Sequence, residues 1–478
     1  MATDKHAVVW TRAGAVPMKM GSITVTDREC RFSYERDFLE ADLPGIGVLF
    51  NPSFVKQNTV SRKRTEGYDL FPALQTLIPP RAEDNFQRRL VTAYLKKLSI
   101  DPGTGFDLDW NILMVAGHGG IGHLDVFTDD DKAVVWYKDK ALSPFYTTSQ
   151  NFGFSLKDFL NFYDVDARPI IDAIGPTPTV RGMIPKLLLA IPASGWDGQI
   201  ALPSRTVTKE RTDVVLKFER SETYPGIVEL EALTLDLHRR AGFEVPRFWT
   251  LNIKDVPGIA IERFDRVHGK PILAETLYSI MKAGDERIAN HYDATYDYIA
   301  AAYDKSPIPI VSRPAEEKRL LAKRLILAML TGNGDLHMDN LSIIYRDGEL
   351  RASPVYDPTP MSAYSRHRML NVMPFGDYAQ FDETTDEIVP FITAIPRFGK
   401  SVGLTKKALG DMIDECLTIT DRYAEEVDGL STYPGTYKEK FLPFLAKTRL
   451  LFQEQLLTLP LPTAGNQGQN MTSHKMAE

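Results

Sequence analysis

Three side chains, Asp335, Asn340 and Asp357, could do chemistry together. The first two lie in Gly332-Asn333-Gly334-Asp335-Leu336-His337-Met338-Asp339-Asn340, and the third closes Val355-Tyr356-Asp357. An Asp can accept the proton of an attacking hydroxyl. An Asn and a second Asp can hold the magnesium that neutralises charge on a transferred phosphoryl group. Taken alone, Asp335 reads as a polar turn residue. All three in a helix–loop–hairpin setting point to phosphoryl transfer from ATP.

Their positioning elements are legible. Residues 316–330 have the spacing of a long helix, with Leu320, Leu321, Ile326 and Leu330 on its apolar face, and it delivers the chain to Gly332. Asn340 to Tyr345, an Arg346-Asp347-Gly348 turn and Leu350 to Tyr356 read as a hairpin that sets Asp357 beside Asn340. Phosphates also require a cation. Lys217 ends the apolar strand Val214-Val215-Leu216-Lys217-Phe218, where burial demands an anionic partner. Glu231 on the following helix can supply it, with Glu229 as a competitor. The loop Ser194-Gly195-Trp196-Asp197-Gly198-Gln199 is placed over the phosphates, its glycines letting backbone amides approach an anion. A plain surface turn is the competing reading. His337 has no second His or Cys at ligand spacing, so it is read as shaping its loop by hydrogen bonding.

Composition sets the limits. A chain of 478 residues exceeds one ordinary core, so two or three domains are expected. A formal charge of −7 argues against broad nucleic-acid binding. The only cysteines, Cys30 and Cys416, fit a reducing cytosol. Without a signal-like or membrane-length apolar run, the expectation is a soluble, cytoplasmic protein. Residues 1–150 read as short strands, among them 46–50, interrupted by a helix over 84–98. Gly117, Gly119, Gly120 and Gly122 read as turns before a hairpin. Residues 405–428 and 438–458 read as two amphipathic helices, and the polar end after Pro462 as disordered. Ser61-Arg62-Lys63-Arg64 and Arg366-His367-Arg368 are read as solvated loops.

The ordered set Ser194-Gly195, Lys217, Glu231, Ala241-Gly242, Glu262-Arg263-Phe264-Asp265-Arg266, Gly332 to Asn340 and Tyr356-Asp357 resembles the HipA-like serine/threonine kinases, toxins of bacterial toxin–antitoxin modules. The resemblance covers roughly residues 15 to 455. It implies an α+β, two-lobed protein-kinase-like fold with a β-rich N-terminal subdomain and an all-helical C-terminal lobe. The corresponding divisions are 1–150, an ATP-binding lobe at 151–268, a catalytic lobe at 269–460 and a disordered tail at 461–478. It further implies that Asp335 is the catalytic base and that Asn340 and Asp357 are magnesium ligands. Lys217 and Glu231 would serve the ATP phosphates, under the loop 194–199. Glu262, Arg263 and Phe264 would form the adenine hinge and Asp265 would reach the ribose, with His337 and Tyr356 completing the nucleotide site. Implied partners are ATP, Mg2+, a protein substrate such as an aminoacyl-tRNA synthetase or another translation component, and a small DNA-binding antitoxin through which alone DNA is touched. No membrane is implied. This chain departs from the family at Asp339, where a lysine is usual, and at Asp197 and Gln199, where Gln and Lys are usual. A regulatory serine position two residues before Ser194 is Pro192, and Ser194 itself could substitute. Two other readings remain open: a small-molecule phosphotransferase of the aminoglycoside or choline type, suggested by Asn333-Gly334-Asp335-Leu336-His337, and a non-catalytic DNA corepressor that holds an antitoxin.

Overall fold

The structure, a computed structural model, describes residues 4–54, 58–65, 69–82, 85–148, 184–254, 256–364, 370–383 and 385–459. The tail expected to be disordered and the Arg366-His367-Arg368 cluster lie outside the described residues. Near the N-terminus, alternating apolar residues build a five-stranded antiparallel sheet. Its order is Thr59–Lys63, Glu29–Tyr34, Met18–Val25, Lys5–Thr11 and Leu124–Phe127. Val9, Ile23, Phe32 and Val126 point to one face and are fully buried there, as a period of two requires.

The helix Phe86–Lys97 realises the spacing seen at 84–98 and is shared between two cores. Val91 and Leu95 pack into the N-terminal core. Leu90 packs with Leu187, Leu189, Val214 and Leu216 of a second sheet. That sheet is antiparallel, in the order Phe248–Ile253, Val256–Glu262, Arg211–Phe218, Lys186–Pro192. In sequence the helix Ile227–Arg240 follows the strand Arg211–Phe218 and precedes the strands Phe248–Ile253 and Val256–Glu262.

The C-terminal lobe is built on Pro314–Thr331, with proline at its first turn and Gly332 in the left-handed conformation (φ 76°) beyond its last. A side chain on Gly332 would run into the Phe441 ring of the long helix Gly435–Leu457. The chain therefore leaves the helix at a fixed angle, directly into residues 333–340. The lobe is helical except for the sheet Ala274–Thr276, Ser342–Arg346, Glu349–Ala352, which contains the predicted hairpin, and a small second hairpin at 381–388.

Several expectations are corrected. Residues 46–50 do not form a strand; Val48–Phe50 is a single 3-10 turn whose Val48 amide donates to the Glu275 carboxylate. Gly117 to Gly122 lead not to a hairpin but to the lone strand Leu124–Phe127, then to a helix at Asp130–Lys138 capped by Asp129. The helix Gly105–Ala116 gives a weak periodic signal because Asp107, Asp109 and Asn111 alternate with apolar residues and are spread around its circumference. Ser61 to Lys63 lies in an edge strand, not a loop, and Arg62 and Arg64 cover the rings of Phe50 and Phe106. Residues 405–428 form two helices, Lys406–Ile419 and Tyr423–Asp428. No helix among the described residues is long and apolar enough to cross a membrane.

Glu275 ties the N-terminal subdomain to the C-terminal lobe, accepting from Val48 at 2.7 Å and from the Ser279 hydroxyl at 2.5 Å. Burial pushes its carboxyl up to about 7. Between an unfolded value of about 4.3 and that figure, the native state holds a proton the unfolded chain has lost, so stability falls as pH rises through the window. Glu275→Gln is neutral at every pH. It is expected to raise the urea midpoint at pH 8 and to flatten the profile between pH 4.5 and 7. Identical profiles for the two proteins would contradict the assignment.

Candidate active site

Four buried charges meet where the two lobes join. Lys217, near the end of the strand Arg211–Phe218, forms an ion pair with Glu231 on the helix Ile227–Arg240 and donates to the Asp357 carboxylate at 2.9 Å. Lys186, opening the neighbouring strand, donates to the other Asp357 oxygen at 3.0 Å. The register pairs Lys186 with Lys217 across the sheet, which explains why both ammonium groups reach one carboxylate. Glu231 is thus the partner; Glu229 turns away, accepting from Ser431 and Thr432.

Burial alone would depress the Lys217 ammonium, but Asp357 and Glu231 outweigh it and hold that group above its ordinary range. Burial would likewise raise Asp357, and the two lysines override it, driving the carboxyl far below the usual range. Lys186 is pulled below its ordinary value by burial, against the attraction of Asp357. Two cations and two carboxylates leave the cluster neutral, which is what permits its burial. Asp357 alone keeps an exposed edge, with 21% of its side-chain surface accessible. Its backbone is held at φ 50°, an uncommon conformation for a residue other than glycine.

The second strand of the hairpin ends at Ala352, short of the expected Tyr356, and Asp357 follows it in an irregular segment. The Tyr356 hydroxyl donates to the Asp339 carbonyl at 2.7 Å and lies 2.7 Å from the Ser342 hydroxyl, linking the residue before Asp357 to the residue before Asn340. Tyr356 is therefore a structural tie, its ring against Phe264 at 5.3 Å. Asn340 donates to the Asp335 carbonyl at 3.0 Å, which folds the loop back on itself. His337 accepts from the Asp339 amide through Nδ1, the loop-shaping role read from the sequence. Asp335 is raised to about 6, by burial first and then by the charge of Asp357. His337 is lowered to about 4, also chiefly by burial. The Asp339 carboxylate faces His291 at 3.4 Å, and the His291 and His337 rings lie 4.2 Å apart.

Two placements differ from expectation. The loop 194–199 does have the backbone of a glycine turn, with Gly195 at φ 111° and Gly198 at φ 91°. It follows the far end of the strand Lys186–Pro192, however, where Pro192 pairs with Arg211. Six residues of extended strand separate that end from the lysines, about 20 Å at ~3.3 Å per residue. Ser194 and Asp197 are exposed there, Trp196 packs on the sheet, and Asp197 accepts from the Gln199 amide and side chain. The phosphate role of this loop, and the departures at Pro192, Asp197 and Gln199, therefore fall away. Asp265 is the second correction. Its carboxylate is buried among Arg263, Arg266 and the Gly122 amide, with nothing left for a ribose. Glu262 pairs through both oxygens with Arg247. The side chains of Glu262, Arg263 and Asp265 are thus all engaged within the protein.

Lys186 escaped the sequence reading. Its signal was present: a lysine opening Leu187-Leu188-Leu189-Ala190-Ile191 needs the same buried partner that singled out Lys217.

A family model described as the HipA-like C-terminal domain matches residues 179–423, just over half of the chain. The chain belongs to that family. A protein of Haemophilus influenzae named "Putative kinase" is 28% identical over 197 residues, 39% of this chain and 53% of that protein. "Putative kinase Y4mE" of Sinorhizobium fredii is 23% identical over 273 residues, 55% of this chain and 63% of that one. The chain thus spans between half and two thirds of the length of these HipA-like relatives. In structure it is similar to HipA of Shewanella oneidensis MR-1, solved with HipB and operator DNA. The TM-score is 0.55 at 14% identity, over 95% of this chain and 97% of that one. The likeness is one of fold: two lobes, a β-rich N-terminal region and a helical C-terminal region.

The neutral cluster makes a stability prediction. Lys217→Met leaves Glu231 buried without its cation and is expected to cost about 3–5 kcal/mol. Adding Glu231→Leu is expected to recover most of that loss, since Asp357 retains Lys186. Urea denaturation of the single and double variants measures it, and strictly additive losses would contradict a coupled cluster.

Proposed function

We propose that this HipA-like protein is an ATP- and Mg2+-dependent protein kinase that transfers the γ-phosphate to a serine or threonine hydroxyl. The observation that carries the reading is the meeting of Lys186 and Lys217 on Asp357, whose neighbour Tyr356 is hydrogen-bonded to the Asp339 carbonyl in the loop of Asp335 and Asn340. Two ammonium groups beside a carboxylate with an exposed edge form a place for polyphosphate and its metal.

The donor set suits magnesium. That ion binds one or two carboxylates or amide oxygens, keeps several waters and takes the rest of its shell from substrate phosphates. Asp357 and the Asn340 side-chain oxygen are hard donors of that kind. Bound there, the ion would neutralise charge on the transferred group.

In the proposed reaction the acceptor O–H gives its proton to Asp335 while its oxygen attacks the γ-phosphorus. The bond from the γ-phosphorus to the bridging oxygen breaks, and ADP leaves with that electron pair. Lys217, fixed by Glu231, and Lys186 hold the phosphates. Backbone groups of 262–264 receive the adenine. By family resemblance the chain is a growth-inhibiting toxin acting on an aminoacyl-tRNA synthetase or another translation component. Its partner is then a small DNA-binding antitoxin.

The test is transfer of labelled γ-phosphate from ATP–Mg2+ to proteins of a bacterial lysate. Asp335→Asn is expected to lower transfer by about 10²–10⁴-fold with ATP affinity unchanged, because only proton acceptance is lost. Asp357→Ala is expected to lose magnesium-dependent ATP binding as well. Activity equal to native in both variants would sink the mechanism, and phosphate found only on small alcohols would redirect it. The rate should fall as pH drops through about 6, where Asp335 takes up a proton and ceases to be a base. Metal on Asp357 removes part of the repulsion and moves that midpoint lower.

A further inference from the structure

We propose that Arg263, Asp265 and Arg266 are positioning residues that make the adenine hinge depend on the N-terminal subdomain. This rests on the reading of 262–264 as the nucleotide hinge. Arg263, wholly buried, donates to the Gly120 carbonyl at 2.5 Å, to the Gly119 carbonyl at 3.4 Å and to Asp265 at 2.8 Å. Arg266 donates to the Gly120 and Gly122 carbonyls at 2.9 and 3.1 Å and to Asp265 at 2.6 Å. Asp265 in turn accepts from the Gly122 amide at 2.7 Å.

These bonds fasten residues 263–266 of the ATP lobe to one loop of another subdomain. Gly119 and Gly122 sit at φ 72° and 84°, which turns the carbonyls of 119, 120 and 122 toward the two guanidinium groups. The loop is fixed from its other side. Asp125 accepts from the Gly119 amide at 2.6 Å and from the Tyr137 hydroxyl at 2.8 Å, and lies 3.4 Å from Arg12. Asp125 belongs to the strand Leu124–Phe127, which is paired along Lys5–Thr11. A continuous set of buried polar contacts therefore runs from the N-terminal sheet, through Asp125 and the glycine loop, to the backbone beside Phe264. The hinge cannot shift without carrying that loop. Conversely, whatever moves the loop alters the seat of the adenine.

Asp125→Asn tests this, because Asp125 touches neither the hinge nor the place of the nucleotide. With full-length protein, ATP affinity is expected to weaken by about fivefold or more, the lower end of coupling between sites. The KM for ATP should rise while kcat for phosphate transfer stays unchanged. Combined with Asp265→Asn it should add little to that variant's own loss, as expected for groups in one network. Tyr137→Phe is a milder variant, should Asp125→Asn fold poorly. Faster amide exchange at 117–123 with unchanged ATP affinity would overturn the proposal. So would loss of ATP binding in Asp265→Asn but not in Asp125→Asn, which would make Asp265 a direct ligand. If the native protein binds no ATP, the nucleotide reading fails by itself. Amide exchange at 262–266 in Asp125→Asn then still decides the mechanical link, upheld if faster and overturned if unchanged.

Discussion

Everything that this fold holds in place converges on one constraint: a carboxylate with an exposed edge, Asp357, must stay ionised while two ammonium groups are buried against it. A single lysine there would leave Glu231 and Asp357 competing for one cation. A lysine pair without Glu231 would leave the cluster with an unmatched positive charge in a dry environment, where an uncompensated ion is costly. Four charges in balance satisfy the requirement, and each comes from a different element. The two lysines come from paired strands, Glu231 from the helix that follows, and Asp357 from the hairpin of the other lobe. The cluster is therefore also what holds the two lobes in register at the cleft.

The loop 333–340 is positioned by a second set of constraints. Gly332 stops the helix Pro314–Thr331 at a fixed angle, and Asn340 and Tyr356 tie the loop to the hairpin. Asp335 thereby sits close enough to Asp357 to feel its charge, and that repulsion adds to burial in raising its pKa. In the proposed mechanism a raised pKa makes Asp335 the stronger proton acceptor, an effect that metal on Asp357 would reduce.

The candidate site was largely legible because its residues are chemically conspicuous. Asp335, Asn340 and Asp357 stand at fixed spacing in elements with strong periodicity, and Lys217 interrupts an apolar run. Lys186 was missed because it opens such a run instead of closing it, where a lysine passes for an ordinary strand boundary. Loop 194–199 misled because glycine content reports backbone freedom and not position. Only the register, with Lys186 opposite Lys217, shows which end of the strand carries the lysine pair. In the N-terminal subdomain, short strands with alternating burial were readable. The helix Gly105–Ala116 was not, since Asp107, Asp109 and Asn111 alternate with apolar residues and blur the periodicity that marks a helix.

The Glu-Arg-Phe-Asp-Arg string shows a further limit of reading function from motif residues. Its recognition value lies in its charged side chains, yet those side chains are turned into the protein. Glu262 pairs with Arg247, and Arg263, Asp265 and Arg266 hold the glycine loop. What remains for a ligand is backbone, which any sequence carries. A string of charges can thus mark a nucleotide hinge without one of those charges touching the nucleotide, because a hinge works only if its backbone is held still. In this chain the holding groups lie on both sides of a boundary between subdomains. On the proposed reading, a β-rich N-terminal unit that supplies no residue to the lysine–carboxylate cluster would still influence the nucleotide site.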